Sequence, residues 1–194
     1  MGQYFSNDKL PSDVREIKCE ILGRKFTFLS DNGVFSKKGI DFGSRLLLSS
    51  IPMEEVGANV LDVGCGYGTI GIIVKTFTNS YIDMVDVNKR AVALAEKNIK
   101  LNNVDNINVF ESNIYSNVKD KYDTIITNPP IRAGKKVVYE ILMGAKKYLK
   151  ENGKLYLVIR KEQGAKSLIS DLEKVYNVVV LNRKKGYFII KCTF

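Results

Sequence analysis

The sequence predicts an α/β fold: a seven-stranded, mostly parallel sheet with one antiparallel strand, preceded by an N-terminal β-hairpin. Three observations carry this. From residue 59 onward short apolar runs alternate with amphipathic stretches of helical period, the pattern of βαβ units. Glycines 64, 66 and 68 break the first of these runs and lead into an apolar helix start. The last two apolar runs are joined by a short polar loop with no room for a helix, so one of them must run antiparallel.

Taken in order, residues 1 to 14 are polar, include Pro11 and Ser12, and read as a flexible lead or short irregular arm. Val14 to Leu22 and Lys25 to Ser30 alternate apolar and polar around Gly23-Arg24, with Ile17, Cys19 and Ile21 facing Phe26 and Phe28: a hairpin. Asn32-Gly33 marks a turn, and Asp41 is placed to cap a helix whose apolar face is Phe42, Leu46 and Leu47, ending before Pro52. Strands are expected at about 59 to 63, 81 to 86, 107 to 111, 122 to 127 and 154 to 160. Helices are expected near 69 to 77, 89 to 101, 135 to 150 and 162 to 173. Tyr176 to Leu181 and Tyr187 to Cys192 form a terminal hairpin around 182 to 186. Residues 1 to 52 would pack on a core of 53 to 194, together one structural domain.

The totals narrow the function classes. With 194 residues and no histidine, and with Cys19, Cys65 and Cys192 lacking C-x-x-C spacing, zinc sites and Ser/Cys-His catalysis are excluded and no metal is expected. The cysteine usage reads as a reducing, cytoplasmic protein, and no run of about 18 apolar residues occurs. Thirty Lys plus Arg against 21 Asp plus Glu give a net charge of +9, which suits a polyanionic partner or a solvated lysine-rich surface.

In an open parallel sheet, ligands sit beyond the carboxyl ends of the strands. The run VLDVGCGYGTIG from Val60 to Gly71 places Asp62 and three glycines there, where backbone N–H groups favour a carboxylate or phosphate. A dinucleotide fingerprint counted from Gly64 needs glycine at 69, and the chain has Thr69. Asp86 ends the next strand, where a carboxylate can accept from both ribose hydroxyls or cap the following helix. Asn113, after the third strand, can pair with an adenine edge or make an Asx-turn. After the fourth strand comes Asn128-Pro129-Pro130-Ile131. The prolines make a rigid loop, and the Asn amide oxygen with the Pro129 carbonyl offers two acceptors for the two hydrogens of an aromatic amine.

The D-x-G-x-G run from Asp62 resembles motif I of class I S-adenosylmethionine-dependent methyltransferases. Joined with Asp86, NPPI and GVFSKKGIDFGSRLLL, it resembles the ribosomal RNA small subunit methyltransferase C family, which methylates guanine N2 in small-subunit rRNA. The resemblance covers about residues 30 to 194. It implies a Rossmann-like class I methyltransferase fold, with S-adenosylmethionine as cofactor and an immature ribosomal subunit or its rRNA as partner. It assigns Asn128, Pro129, Pro130 and Ile131 to the target base. Phe35, Lys38, Asp41, Asp62, Gly64, Cys65, Gly66, Gly68, Asp86, Val87, Asn113 and Asn128 go to the cofactor. Lys37, Arg132, Lys135 and Lys136 fall near the site mouth as RNA contacts, and Arg183, Lys184 and Lys185 form a second basic loop.

Ile131 stands where bacterial members carry an aromatic, position 113 is more often acidic there, and those members carry a second, degenerate domain that this length does not accommodate. A homodimer would take its place. Adenine N6 or a protein glutamine amide as acceptor, and a non-catalytic RNA-binding or ribosome-assembly factor, are the competing readings.

Overall fold

The computed structural model describes residues 11–194 apart from 37 and 38. The N-terminal hairpin forms from β1 (Arg15–Ile21) and β2 (Arg24–Ser30), with Ile17 opposite Phe28 and Cys19 opposite Phe26. Its turn is Leu22-Gly23, one residue earlier than the sequence suggests. Both turn residues have positive φ, 50° and 77°, the mirror-image turn that matches strand twist. Helix α1 (Phe42–Ser50) starts at Asp41, whose carboxylate accepts from the Ser44 N–H at 3.1 Å, as the sequence implies.

The main sheet contains β3 (Asn59–Val63), β4 (Tyr81–Asp86), β5 (Ile107–Glu111), β6 (Tyr122–Thr127), β7 (Leu149–Arg160), β8 (Asn177–Lys184) and β9 (Tyr187–Thr193), in the order β5-β4-β3-β6-β7-β9-β8. Strand β9 is the antiparallel one, lying between β7 and β8. The parallel strands are linked through α2 (Thr69–Phe77), α3 (Lys89–Leu101), α4 (Lys135–Tyr148) and α5 (Ala165–Leu172). The strand pleat sorts the core onto two faces. Val60, Ile126, Tyr156 and Ile189 face a cluster shared with the hairpin, α1, α2 and α3, while Leu61, Ile125, Leu155 and Leu157 face α4 and α5.

Three boundaries differ from expectation, each for a backbone reason. Strand β7 begins at Leu149 because Leu149 pairs with Tyr122 before a register shift to Thr124–Lys154, where Asn152 takes φ 61°. Helix α4 therefore stops at Tyr148. Gly164, at φ 85°, separates a single 3₁₀ turn at Lys161–Gln163 from α5, shortening the helix expected at 162 to 173. The terminal hairpin turns on two residues, Lys185 (φ 49°) and Gly186 (φ 77°), so β8 continues through Arg183 and Lys184.

The hairpin is tied to the sheet layer by polar bonds. The outer edge of β2 would leave its backbone groups unpaired, and two asparagines one helical turn apart, one on α3 and one capping its C-terminus, complete it. Fully buried Asn98 donates to the Leu29 carbonyl at 2.9 Å and accepts from the Leu29 N–H at 2.6 Å; its amide also reaches the Tyr67 carbonyl at 2.8 Å. Asn102 repeats the pattern on Thr27. At the described end of the arm, the Asp31 carboxylate accepts from Ser12 Oγ at 2.8 Å and from the Asp13 N–H at 2.6 Å.

Replacing Asn98 with alanine strands three backbone groups at once, so Asn98→Ala is expected to lower stability by about 3 kcal/mol. Urea denaturation measures the loss, and hydrogen exchange should show the Leu29 amide opening first.

Candidate active site

A cleft of about 380 Å³ opens at the carboxyl ends of the strands, spanning the point where the chain switches from β3–β4 to β6–β7. Its first half is the glycine turn after β3. The N–H groups of Gly64 and Cys65 both donate to the Val85 carbonyl, at 2.8 and 3.0 Å, and the Gly66 N–H donates to Asp86 Oδ2 at 2.8 Å. Asp86 Oδ1 accepts from the Asn88 N–H at 2.8 Å. Asp86 thus serves as turn anchor and cleft wall together, and burial pushes its carboxyl above the ordinary aspartate range.

The three motif glycines do different work. Gly64 and Gly66 have φ of 73° and 56°, and a Cβ on Gly66 would meet nothing within 4 Å, so both present bare backbone to the cleft. Gly68 does not line the cleft, contrary to expectation. A Cβ there would lie 3.2 Å from the Ala95 Cβ and 3.3 Å from Met84 Cε. Asp62 also sits below the lining. Its Oδ2 accepts from the Gly71 N–H at 2.9 Å, while its Oδ1 is buried with no hydrogen-bond partner among the described residues. Burial raises its pKa to about 7, opposed by the Gly71 bond and reinforced by the neighbouring Asp86 charge.

Cys65 lines the cleft, but its thiol is buried and pushed well above its usual range, which removes it as a nucleophile. Val87 and Asn113 lie on the lining as well. Around Asn113 the turn is held by Ser112, whose Oγ donates to the Ile114 carbonyl at 2.9 Å and accepts from the Asn117 N–H at 3.1 Å. The Asn113 side chain stays exposed at the rim.

The second half is the Asn128–Ile131 loop, all four of whose residues line the cleft. Asn128 donates its amide hydrogens to Ser44 Oγ at 2.9 Å and to the Asp41 carboxylate at 3.4 Å. With Nδ2 committed to α1, the amide carbonyl is the end left for a ligand. Thr127 Oγ donates to the Val63 carbonyl at 2.8 Å and stitches the two strand ends together. The segment before α1 closes the side, where Phe35 is 55% exposed and Asn88 Nδ2 holds the Gly33 carbonyl at 3.1 Å. Lys37 and Lys38 lie outside the described residues.

Of the expected basic contacts, Arg132 lines the cleft. Lys135 faces the adjacent groove with its ammonium 4.9 Å from the Tyr139 ring centroid. Lys136 is exposed on the first turn of α4 and off the cleft wall. The lining residues without a sequence assignment include Ser44, Tyr67, Arg160 and Tyr187. Ser44 was within reach of a sequence argument, standing three residues after a helix cap. Arg160 and Tyr187 come from β7 and β9, and only the strand order brings them to the loop.

The comparisons agree with this geometry. The family model described as "Methyltransferase small domain" matches residues 25–191. The chain belongs to that family. The uncharacterized protein YbxB of Bacillus subtilis (strain 168) is 45% identical over 197 residues, 98% of each chain. The ribosomal RNA small subunit methyltransferase C of Aliivibrio fischeri (strain ATCC 700601 / ES114) is 39% identical over 149 residues, 74% of this chain and 43% of that protein. Among solved structures, the T. thermophilus 16S rRNA N2 G1207 methyltransferase (RsmC), in complex with AdoMet and guanosine, superposes with a TM-score of 0.84 at 25% identity, over 95% of this chain and 51% of that one. The chain thus spans about half the length of the methyltransferase C relatives and nearly all of YbxB. Across them the fold is the class I methyltransferase fold.

The raised pKa of Asp62 sets a sign for stability. A carboxyl that ionises later when folded than when unfolded favours folding below the ordinary value of 3.8 and loses that contribution as pH rises to about 7. Asp62→Asn keeps an acceptor for Gly71 and removes the charge. It should therefore stabilise the ligand-free protein above pH 7, by at most about 4 kcal/mol, and have little effect near pH 4. Urea midpoints across that range would read the difference.

Proposed function

We propose that this chain transfers a methyl group from S-adenosylmethionine to the exocyclic amino group of an RNA base, with guanine N2 of small-subunit rRNA as the acceptor. The observation that carries the reading is the fixed Asn128 amide, pinned by Ser44 and Asp41 within the cleft that Gly64, Gly66 and Asp86 also line.

The residues fit this cofactor. The orphaned Asp62 oxygen and the raised Asp62 and Asp86 carboxyls suit a ligand bearing positive charge, and the bare Gly64–Gly66 backbone suits its close approach. Asp86 would hold the ribose hydroxyls, and Asn113 with Ile114 the adenine edge. When bound, S-adenosylmethionine supplies an electrophilic methyl on a sulfonium.

The acceptor side supplies position. The Asn128 amide carbonyl and the Pro129 carbonyl accept the two hydrogens of the amine, turning them out of the ring plane so that the nitrogen lone pair localises. Fixing that geometry accounts for a barrier reduction of about 7 to 11 kcal/mol, without any strong base in the site. The alkylated amine is acidic enough to lose its proton to water. Arg132, Lys135 and Lys136 would position RNA phosphates without reading sequence. The names of the methyltransferase C relatives support rRNA as the acceptor class, and the reading is of a cytoplasmic protein.

Asn128→Ala should lower kcat by about a hundredfold or more while leaving cofactor affinity near wild type, since the lost group orients the acceptor. Ser44→Ala should lower it less, because Asp41 still holds the amide. Single-turnover transfer of labelled methyl to immature small-subunit rRNA, beside DNA and protein acceptors, checks both, and unchanged turnover in Asn128→Ala would sink the mechanism. Cofactor affinity should rise with pH toward about 7, where Asp62 is half ionised, and level off above it. Calorimetry in buffers of different ionisation enthalpy should accordingly report proton release on binding below pH 7.

A further inference from the structure

We infer that Arg160 and Tyr187 form one stacked pair that serves as the platform for the acceptor base, supplying the flat face that Ile131 lacks. This rests on the reading of the cleft as a site for an exocyclic amine on an RNA base. Both residues line that cleft together with Asn128 and Ile131. They are cross-strand partners at the carboxyl end of β7 and the start of β9, so the sheet presents them side by side. The Arg160 guanidinium carbon lies 5.1 Å from the Tyr187 ring centroid, and its Nε is 3.2 Å from Glu162 Oε2.

The pair is built into the fold. Phe42, first residue of α1, tilts against the Tyr187 ring at 5.4 Å. Gly43 makes the seat: a Cβ there would fall 2.9 Å from Tyr187 Cε1. Behind the pair, the Lys161 N–H donates to the Gly186 carbonyl at 2.7 Å and holds the β8–β9 turn against the end of β7. That turn carries Lys185, whose ammonium is 5.2 Å from the Phe42 ring centroid. The second basic loop is therefore adjacent to the cleft and not on a remote face.

Unpaired RNA bases are held by stacking on aromatic rings or on guanidinium planes, with cations nearby for the flanking phosphates. A guanidinium laid on a ring offers both surfaces from one rigid unit, whereas Ile131 offers only an aliphatic contact. The ligand class is thus an unstacked purine of single-stranded RNA, flanked by phosphates that reach Lys185.

The test uses a short unpaired RNA carrying 2-aminopurine, which keeps an amine at position 2 and loses fluorescence when stacked, titrated onto the full chain with S-adenosylhomocysteine. Wild type should quench it. Tyr187→Ala should weaken binding about ten- to a hundredfold, the range for losing one base stack. Arg160→Lys keeps the charge but not the plane; it should lose quenching with an unchanged salt dependence, and as a half-exposed side chain it tests the platform even if Tyr187→Ala fails to fold. Tyr187→Trp should restore quenching. Unchanged quenching in Arg160→Lys and in folded Tyr187→Ala, or no quenching in wild type, overturns the platform. Quenching that depends on the pair supports it even if no methyl reaches any RNA, an outcome that counts against the proposed activity alone.

Discussion

The structure depends first on how closely residues 64–71 pass the end of β4. A Cβ on Gly71 would fall 2.4 Å from Met84 Sδ, and one on Gly68 would press on Met84 and Ala95 together. With no side chain in that gap, α2 packs directly against the sheet, and the turn amides converge on the Val85 carbonyl and the Asp86 carboxylate. The ligand-facing backbone of Gly64 and Gly66 is a product of this packing. The turn has one conformation because the backbone beneath it has nowhere else to go.

The same economy joins the other parts to that turn. Tyr67, inside the glycine run, gives its carbonyl to Asn98, and Asn98 also completes the edge of the hairpin. Asn88, just beyond Asp86, holds the Gly33 carbonyl, and Asp41 both caps α1 and touches Asn128. Side-chain hydrogen bonds, several of them buried, therefore link hairpin, cleft wall and the Asn128 loop. Such bonds carry a large penalty when broken, and they fix orientation better than apolar contacts of equal area.

This explains which parts of the molecule could be read from the chain. The strands and most of the helices followed from periods of 2 and 3.6, and the boundaries that moved lie where a residue takes positive φ: Leu22, Asn152, Gly164 and Lys185. That NPPI and Asp86 would line one cleft was legible because each lies within a few consecutive residues at a strand end. Spacing alone does not tell a glycine on the cleft wall from one facing Met84, as Gly68 does. Arg160 and Tyr187 could not be read at all, since their meeting depends on β9 inserting between β7 and β8.

The charge distribution suits two partners of opposite sign on one surface. The chain carries +9 overall, yet the cleft holds Asp86 and Asp41 in its wall and Asp62 beneath it. Exposed lysines act through water over about 8 to 10 Å and draw a polyanion toward the rim without regard to its sequence. The carboxylates of the cleft act at contact range, and for those that are buried the low dielectric strengthens their pull on a cation and their cost when unpaired. On the proposed reading, a cationic donor would relieve that cost inside, while RNA would be gathered by the field outside. Because the two effects operate at different distances, neither cancels the other, and the proposed acceptor amine would meet the donor at the boundary between them.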